Sequence, residues 1–295
     1  MSRNICLVIG ASGLVGRCLM RSLNKSGVAT LGTYANRPSA GLRQLDITDA
    51  SGVADCVSAL RPRTIYLTAA LTHVDACEDQ TETARRINVL GPRLVAAAAQ
   101  RTGATLVFYS TEYIFDGADG PYSEEAAPNP LSVYGRTKLE AENAIRDILP
   151  AALIVRTTVV FGWDRLSKNF AMQIYDRVQA GLDMTIPDDQ LGSPTWAGYL
   201  ADTSVLLTQS GASGVVNVAG KETVSRTDFA RALVRLFGGM PERVIPVPTA
   251  TLRQRAARPL RGGLRTDKLH KLLGAPPLSL EESLERLRLD WQRNS

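Results

Sequence analysis

The run Ile5-Cys6-Leu7-Val8-Ile9 leads directly into Gly10-Ala11-Ser12-Gly13-Leu14-Val15-Gly16, and this junction constrains the fold more than any other stretch of the chain. A short apolar run ending in glycines reads as a buried strand, and apolar residues at Leu14, Val15, Cys18, Leu19 and Leu23 continue it as an amphipathic helix. Strand, glycine turn and helix in that order make a cradle for a pyrophosphate. Gly10 permits the tight turn, Gly13 lets the backbone approach the phosphates, and Gly16 brings the helix close to the sheet. The free N–H groups and the positive end of the helix dipole then face the anion. Ser12, Leu14 and Val15 share the turn and belong to the same candidate cofactor site.

Further along, Tyr134-Gly135-Arg136-Thr137-Lys138 places a phenol and an ammonium four residues apart, on one face of a helix. Alone, such a pair is an ordinary solvated helix face. Beside a nicotinamide it is a carbonyl-reducing pair, because the phenol can protonate the oxygen on which charge develops. An unperturbed Tyr has a pKa of about 10, so a neighbouring ammonium must draw it down; about three units amount to roughly 4 kcal/mol.

Candidate strands at 5–9, 28–34, 43–45, 64–68, 105–109 and 153–157 alternate with helical segments. The pattern predicts an α/β fold, a doubly wound parallel (Rossmann) sheet with a second, smaller α/β lobe for substrate. Asn129 and Pro130 read as the N-cap and first residue of the helix carrying Tyr134 and Lys138. Past Arg156 the alternation fades into a helix near 170–179 and short strands near 184–186 and 244–247, while 215–219 returns to the sheet. The nucleotide domain is therefore expected at 1–160 and about 193–225, and the substrate lobe at about 161–192 and 226–295. Ser279-Leu280-Glu281-Glu282 reads as a capping box opening a final helix.

The length of 295 residues accommodates two lobes. No apolar run approaches the ~20 residues of a membrane span, and the start lacks a signal-peptide pattern, so a soluble, cytoplasmic protein is expected. Cys6, Cys18, Cys56 and Cys77 lack metal-ligand spacing and are expected as buried thiols; with only His73 and His270, neither a histidine metal site nor a Ser-His-Asp triad is expected. The net charge of +5 gathers at Arg253, Arg255, Arg258, Arg261, Arg265, Lys268 and Lys271, which reads either as a site for an anionic partner or as a solvated surface. No nucleic-acid-binding module accompanies it.

A third element, Tyr109-Ser110-Thr111-Glu112-Tyr113-Ile114-Phe115-Asp116-Gly117, is a strand ending in hydroxyls, where ligands of such sheets bind. With the glycine turn, the stretch from Pro130 to Glu140, Asp189-Gln190-Leu191-Gly192-Ser193-Pro194-Thr195 and Arg258-Pro259, it makes the chain resemble the extended short-chain dehydrogenase/reductase family nearly end to end. The resemblance is closest to the dTDP-4-dehydrorhamnose reductase group. It implies a triad of Thr111, Tyr134 and Lys138, with Asn88 matching the family's helix asparagine. It implies Asp46 and Ile47 beside the adenine, although Asp46 also reads as a helix cap, and Ala69 and Ala70 beside the cofactor. Gln190, Thr195 and Arg258 are implied for the nucleotide-sugar substrate, Arg258 for its pyrophosphate. The end of the second strand, Thr33-Tyr34-Ala35-Asn36-Arg37, offers no carboxylate for a ribose. Arg37 suits a 2′-phosphate or is an ordinary loop cation, so NADPH is expected over NADH. Relatives are monomers or dimers, which allows a homodimer. Two departures touch substrate recognition: Val159 stands where the family often has Trp, and Arg261-Gly262-Gly263 replaces polar side chains.

The implied reaction is reduction of the C4 ketone of a nucleotide-linked 6-deoxy sugar. An NAD-dependent epimerase or dehydratase on the same scaffold is a second reading. A non-catalytic NADP-binding subunit, like the methionine adenosyltransferase beta subunit, is a third.

Overall fold

The computed structural model describes residues 5–294. Six strands come first: β1 (Ile5–Ile9), β2 (Ala29–Tyr34), β3 (Arg43–Gln44), β4 (Thr64–Leu67), β5 (Thr105–Thr111) and β6 (Leu153–Thr157). Four short ones follow: β7 (Val160–Phe161), β8 (Met184–Pro187), β9 (Leu191–Gly192) and β10 (Thr195–Trp196). The last are β11 (Gly214–Asn217), β12 (Val224–Ser225) and β13 (Val244–Val247). The helices are α1 (Leu14–Lys25), α2 (Ala50–Leu60), α3 (Val74–Asp79), α4 (Thr81–Arg85), α5 (Gly91–Thr102) and α6 (Val133–Ile148), then α7 (Phe170–Gln179), α8 (Ala197–Gln209), α9 (Arg226–Leu236), α10 (Asp267–Leu273) and α11 (Leu280–Asn294).

Seven strands form one sheet in the order β3-β2-β1-β4-β5-β6-β11, every pair parallel. The strand order reverses between β1 and β4, so their carboxyl ends open the crevice where a dinucleotide sits in this architecture. Every residue of β4 and β6 is buried, as a sheet covered on both faces requires. Leu7, Ile9, Ile65, Phe108 and Ile154 pack with α2 and α5 on one face, and Val8, Tyr66, Val107 and Val155 pack with α1 and α8 on the other.

A separate apolar cluster is built from Phe161, Trp163, Met172, Met184, Phe229, Leu233, Val244 and Leu287, with Trp291 packed against it. Two-stranded pairs β7 with β10, β8 with β13 and β9 with β12 stitch this part together. The substrate-lobe expectation for 226–295 needs one correction. α10 turns back to the main sheet, where Leu269 joins the α1/α8 cluster and Lys268 Nζ donates to the Val215 carbonyl at 2.6 Å, an edge that β11 leaves open.

Local signals explain most boundaries. Ser279 Oγ accepts from Glu282 N at 3.1 Å while the Glu282 carboxylate takes Ser279 N at 2.8 Å, the reciprocal capping box expected for α11. The start of α6 differs from expectation: Ser132, not Asn129, is its N-cap, accepting from Gly135 N at 3.1 Å. Asn129 instead donates to Asp116 at 2.9 Å and keeps the approach extended. A serine three residues on is an equally good cap, and the tertiary bond to Asp116 decides between them. All four cysteines are buried free thiols.

Candidate active site

The glycine turn at the end of β1 has a different physical reason at each glycine. Gly10 sits at φ +93°, and Gly16 packs so tightly that an added Cβ would lie 2.2 Å from the Gly10 carbonyl oxygen. At Gly13 a Cβ would meet only that oxygen, at 3.4 Å, so the protein itself does not demand glycine there. Gly13 is the N-cap of α1 and offers no side chain to the first N–H groups of the helix. A backbone bare of side chains, ending in free donors and without acids in the first turn, fits a diphosphate. Ser12, Leu14 and Val15 complete this turn.

Around it, Ala69 N donates to the Ile9 carbonyl at 3.1 Å, which holds Ala69 and Ala70 beside the turn at the end of β4. Ile47 is buried and fills the space against Gly91, while the exposed Asp46 accepts from Thr48 N at 2.8 Å. Asp49, three residues on, is the cap of α2. Arg37 is exposed and donates to the Leu166 carbonyl at 3.1 Å, and Arg17 of α1 pairs with Asp164. The loop after β7 thus reaches across to the end of the crevice opposite β5.

On the far side, Tyr134, Lys138 and Glu142 follow one another along the α6 face that meets β5 and β6. Tyr134 stands edge-on to Tyr113, with ring centroids 5.8 Å apart. Loss of water pushes its phenol pKa up, and a hydrogen bond with Thr111 partly opposes this. The expectation that Lys138 draws the phenol down is not met. Lys138 is 2% exposed, and its Nζ donates to the Tyr109 carbonyl at 2.6 Å and lies 3.9 Å from the Phe108 ring centre. Burial lowers its own pKa to about 7, against the opposing pull of Glu142. For the Tyr134 phenol, burial outweighs the pull of a lysine that is only partly charged near neutrality. Tyr134 is therefore held protonated, the form an acid needs.

Thr111 ends β5 and accepts from Tyr113 N at 3.2 Å. Asn88 is 1% exposed in a π-turn at Arg86–Leu90. It accepts from Leu71 N at 2.8 Å and donates to the Leu71 carbonyl at 3.0 Å and to Thr137 Oγ1 at 3.3 Å. Asn88 thus ties the loop after β4 to the helix turn between Tyr134 and Lys138.

The three residues implied for substrate fare differently. Gln190 is buried, donating at 3.0 Å to both Thr249 and Gln254. Thr195 is 0% exposed; its hydroxyl donates to the Ser193 carbonyl at 3.0 Å and accepts from Gly220 N at 3.2 Å. It is a structural residue with no face toward the cleft, a correction to its expected role. Arg258 lies 6.0 Å over the Tyr113 ring, at the mouth of the site, and pairs with Asp75. Two more residues of the basic segment are likewise matched by acids, Arg255 by Asp79 and Arg265 by Asp267.

Several groups escaped sequence reading. Glu142 forms a two-pronged bond to Arg156, at 3.0 and 2.7 Å, with both residues buried. Its helical spacing from Lys138 is the signal that could have found it. Glu112 is 5% exposed, and its Oε2 takes Gly263 N at 2.5 Å; burial raises its pKa. This explains the glycines at 262 and 263: a Cβ on Gly262 would sit 2.8 Å from that carboxylate, and Gly263 has φ +95°. Val159 holds φ +44°, rare for a β-branched residue, and Gly192 makes room for it. The hydroxyls of Ser110 and Thr157, at the ends of β5 and β6, are buried without protein partners, while Thr158 hydrogen-bonds the buried Glu112 carboxylate.

Residues 4–292 match the RmlD substrate binding domain family. The probable low-salt glycan biosynthesis reductase Agl14 of Haloferax volcanii is 34% identical over 287 residues, 95% of this chain and 96% of that protein. A dTDP-4-keto-6-deoxy-D-glucose reductase of Streptomyces niveus is 37% identical over 258 residues, 86% of this chain and 85% of that protein. Among solved structures, dTDP-4-dehydrorhamnose reductase from Bacillus anthracis in complex with NADP aligns with a TM-score of 0.89 at 29% identity, covering 97% of this chain and 99% of that one.

Proposed function

Because the chain belongs to the dTDP-4-dehydrorhamnose reductase family of extended short-chain dehydrogenases/reductases, we infer that it reduces the C4 ketone of a nucleotide-linked 6-deoxy sugar with NADPH, in deoxysugar biosynthesis. The observation that carries this reading is the Tyr134 phenol hydrogen-bonded to Thr111, on the same helix face as Lys138, across the crevice from the glycine turn.

The residues fit the cofactor at both ends. The Gly10–Gly16 turn would hold its diphosphate, Asp46 and Ile47 its adenine side, Arg37 its 2′-phosphate, and Ala69, Ala70, Tyr134 and Lys138 its nicotinamide half. NADPH supplies the hydride. Thr111 holds the ketone oxygen by a hydrogen bond, so the carbonyl is fixed before charge moves. As that oxygen becomes an alkoxide, Tyr134 Oη gives it the phenolic proton. Lys138 lies one turn further along and stabilises the phenolate left behind. With a pKa of about 7 it is partly charged near neutrality and responds to that new negative charge by holding its proton more firmly. Asn88 keeps the loop at Leu71 and the Thr137 turn in register.

The sugar's nucleotide end would extend past Tyr113 toward Arg258. Val159, in place of a flat aromatic ring, and the glycine-containing strap at 261–263 give this cleft its own shape, which supports a 4-keto sugar other than the rhamnose precursor as a candidate substrate. The absence, among the described residues, of any helix long and apolar enough to cross a membrane supports a cytoplasmic enzyme, and a homodimer is the assembly for light scattering to test.

The deciding experiment follows NADPH absorbance with dTDP-4-keto-L-rhamnose and related dTDP-4-keto sugars. Tyr134→Phe is expected to lower kcat by about 10²–10⁴-fold while NADPH still binds. A folded wild type that binds NADPH yet turns over none of these ketones would favour the non-catalytic subunit; tightly bound NAD on purification would favour an epimerase or dehydratase.

A further inference from the structure

The segment from 248 to 263 is a strap that crosses the molecule. At one end Thr249 N bonds both Asp189 carboxylate oxygens, at 3.0 and 3.1 Å, and Gln190 holds Thr249 and Gln254. At the other end Arg261 N donates to the Gly117 carbonyl at 2.8 Å, and Gly263 N donates to Glu112. Between these anchors the strap meets α3 at two carboxylates, Asp79, which pairs with Arg255, and Asp75. Asp75 Oδ1 accepts from Ala256 N at 3.0 Å, and Asp75 Oδ2 accepts from Arg258 Nη2 at 2.8 Å. One side chain therefore fixes both the backbone of the strap and the direction of its guanidinium.

The pair is placed where charge matters. The Arg258 side chain is only 10% exposed and Asp75 28%, and the guanidinium lies 6.0 Å from the centre of the Tyr113 ring, which in turn stands 5.8 Å from Tyr134. Asp75 occupies one edge of the guanidinium, and an arginine has further N–H donors in the same plane for a second anion. Without a partner such a long side chain would sample many rotamers, and ordering it would cost affinity at each binding event.

Building on the reading above, we propose that Asp75 is a positioning residue for sugar-nucleotide binding: it holds Arg258 over Tyr113 so that the open edge of the guanidinium meets the substrate diphosphate. Asp75 does not touch the substrate. Its effect falls on sugar-nucleotide KM rather than on kcat, and not on NADPH.

The test compares wild type, Asp75→Asn, Asp75→Glu, Arg258→Ala and the double variant Asp75→Asn/Arg258→Ala. The readouts are Kd for dTDP by calorimetry, and KM and kcat with the dTDP-4-keto sugar that turns over. Asp75→Asn keeps an acceptor for Ala256 N but loses the charge that orients Arg258. It is expected to weaken dTDP binding and raise sugar-nucleotide KM by about tenfold, leave NADPH KM unchanged, and add nothing further once Arg258 is absent. Asp75→Glu is expected to recover part of the loss. Unchanged or tighter dTDP binding in Asp75→Asn would overturn the proposal, as would losses that simply multiply in the double variant. A wild type that binds no dTDP would instead remove the sugar-nucleotide reading on which the proposal rests.

Discussion

The glycine turn and the basic strap both read as anion sites in the sequence, but they are built in opposite ways. At 10–16 the ligand-facing groups are backbone N–H donors, and the residues that shape them are neighbours in the chain. At 248–263 the charges are side chains whose positions depend on Asp75, Asp79, Glu112, Asp189 and Gln190, all distant in sequence. A site made from local backbone geometry announces itself as a motif. One made from side chains held by remote partners appears only as a cluster of charge, part of which turns out to be neutralised.

The largest effect that could break this contrast lies within the glycine turn. Gly16→Ala places a methyl 2.2 Å from a backbone oxygen that no rotamer change can move. It is expected to cost stability at or above the upper end of the roughly 1–3 kcal/mol typical of overpacking, visible as a lower urea midpoint. Gly13→Ala, with its nearest neighbour at 3.4 Å, is expected to leave that midpoint nearly unchanged while weakening NADPH binding. If both variants lose stability equally, the turn is structural throughout and the assignment of Gly13 to ligand approach fails.

Next in size is Lys138→Met. A lysine whose folded pKa is depressed to about 7 binds its proton less tightly than in the unfolded chain. The cost is therefore full below about pH 7 and shrinks as pH rises toward the unfolded value. The shift corresponds to something on the order of 5 kcal/mol before the lost bond to Tyr109 is subtracted. Melting curves should show Lys138→Met stabilised more at about pH 6 than at about pH 9, together with a loss of turnover. A uniform loss of stability at both would show that the carbonyl bond and the Phe108 face outweigh desolvation.

The smallest effect concerns Arg37, whose side chain joins the end of β2 to the Leu166 carbonyl. Arg37→Ala is expected to raise NADPH KM about tenfold, the loss of one charged contact to phosphate, without changing NADH KM. Equal small changes for both cofactors would mean that the bond to Leu166 is all that Arg37 contributes.

Much of the fold was legible because its signals are local. The apolar runs of β1, β4, β5 and β6 sit where their composition places them, and Ser279 with Glu282 forms the cap their spacing predicts. Where two local signals compete, sequence fails in a specific way. Asn129 and Ser132 are both good caps, and only the bond from Asn129 to Asp116 settles which one starts α6. Thr195 lies in a stretch that resembles a substrate cleft, yet it is fully buried and its hydroxyl bonds Ser193 and Gly220. Lys138 was correctly placed on the face of Tyr134. Its direction, toward Tyr109, could not be read, because it depends on a carbonyl 29 positions away in the chain.

From sequence alone came the alternation of the main-sheet strands with helices, the glycine turn at the end of β1 and the placing of Tyr134 and Lys138 on one helix face, since each follows from hydrophobic period, glycine stereochemistry or helical spacing over a few residues. Only the tertiary structure decided which charges are free to meet a ligand, how far water is excluded from Tyr134 and Lys138, and which residue steadies Arg258. Those properties belong to electrostatics and burial, which depend on every group that folding brings within a few ångströms, whatever its place in the chain.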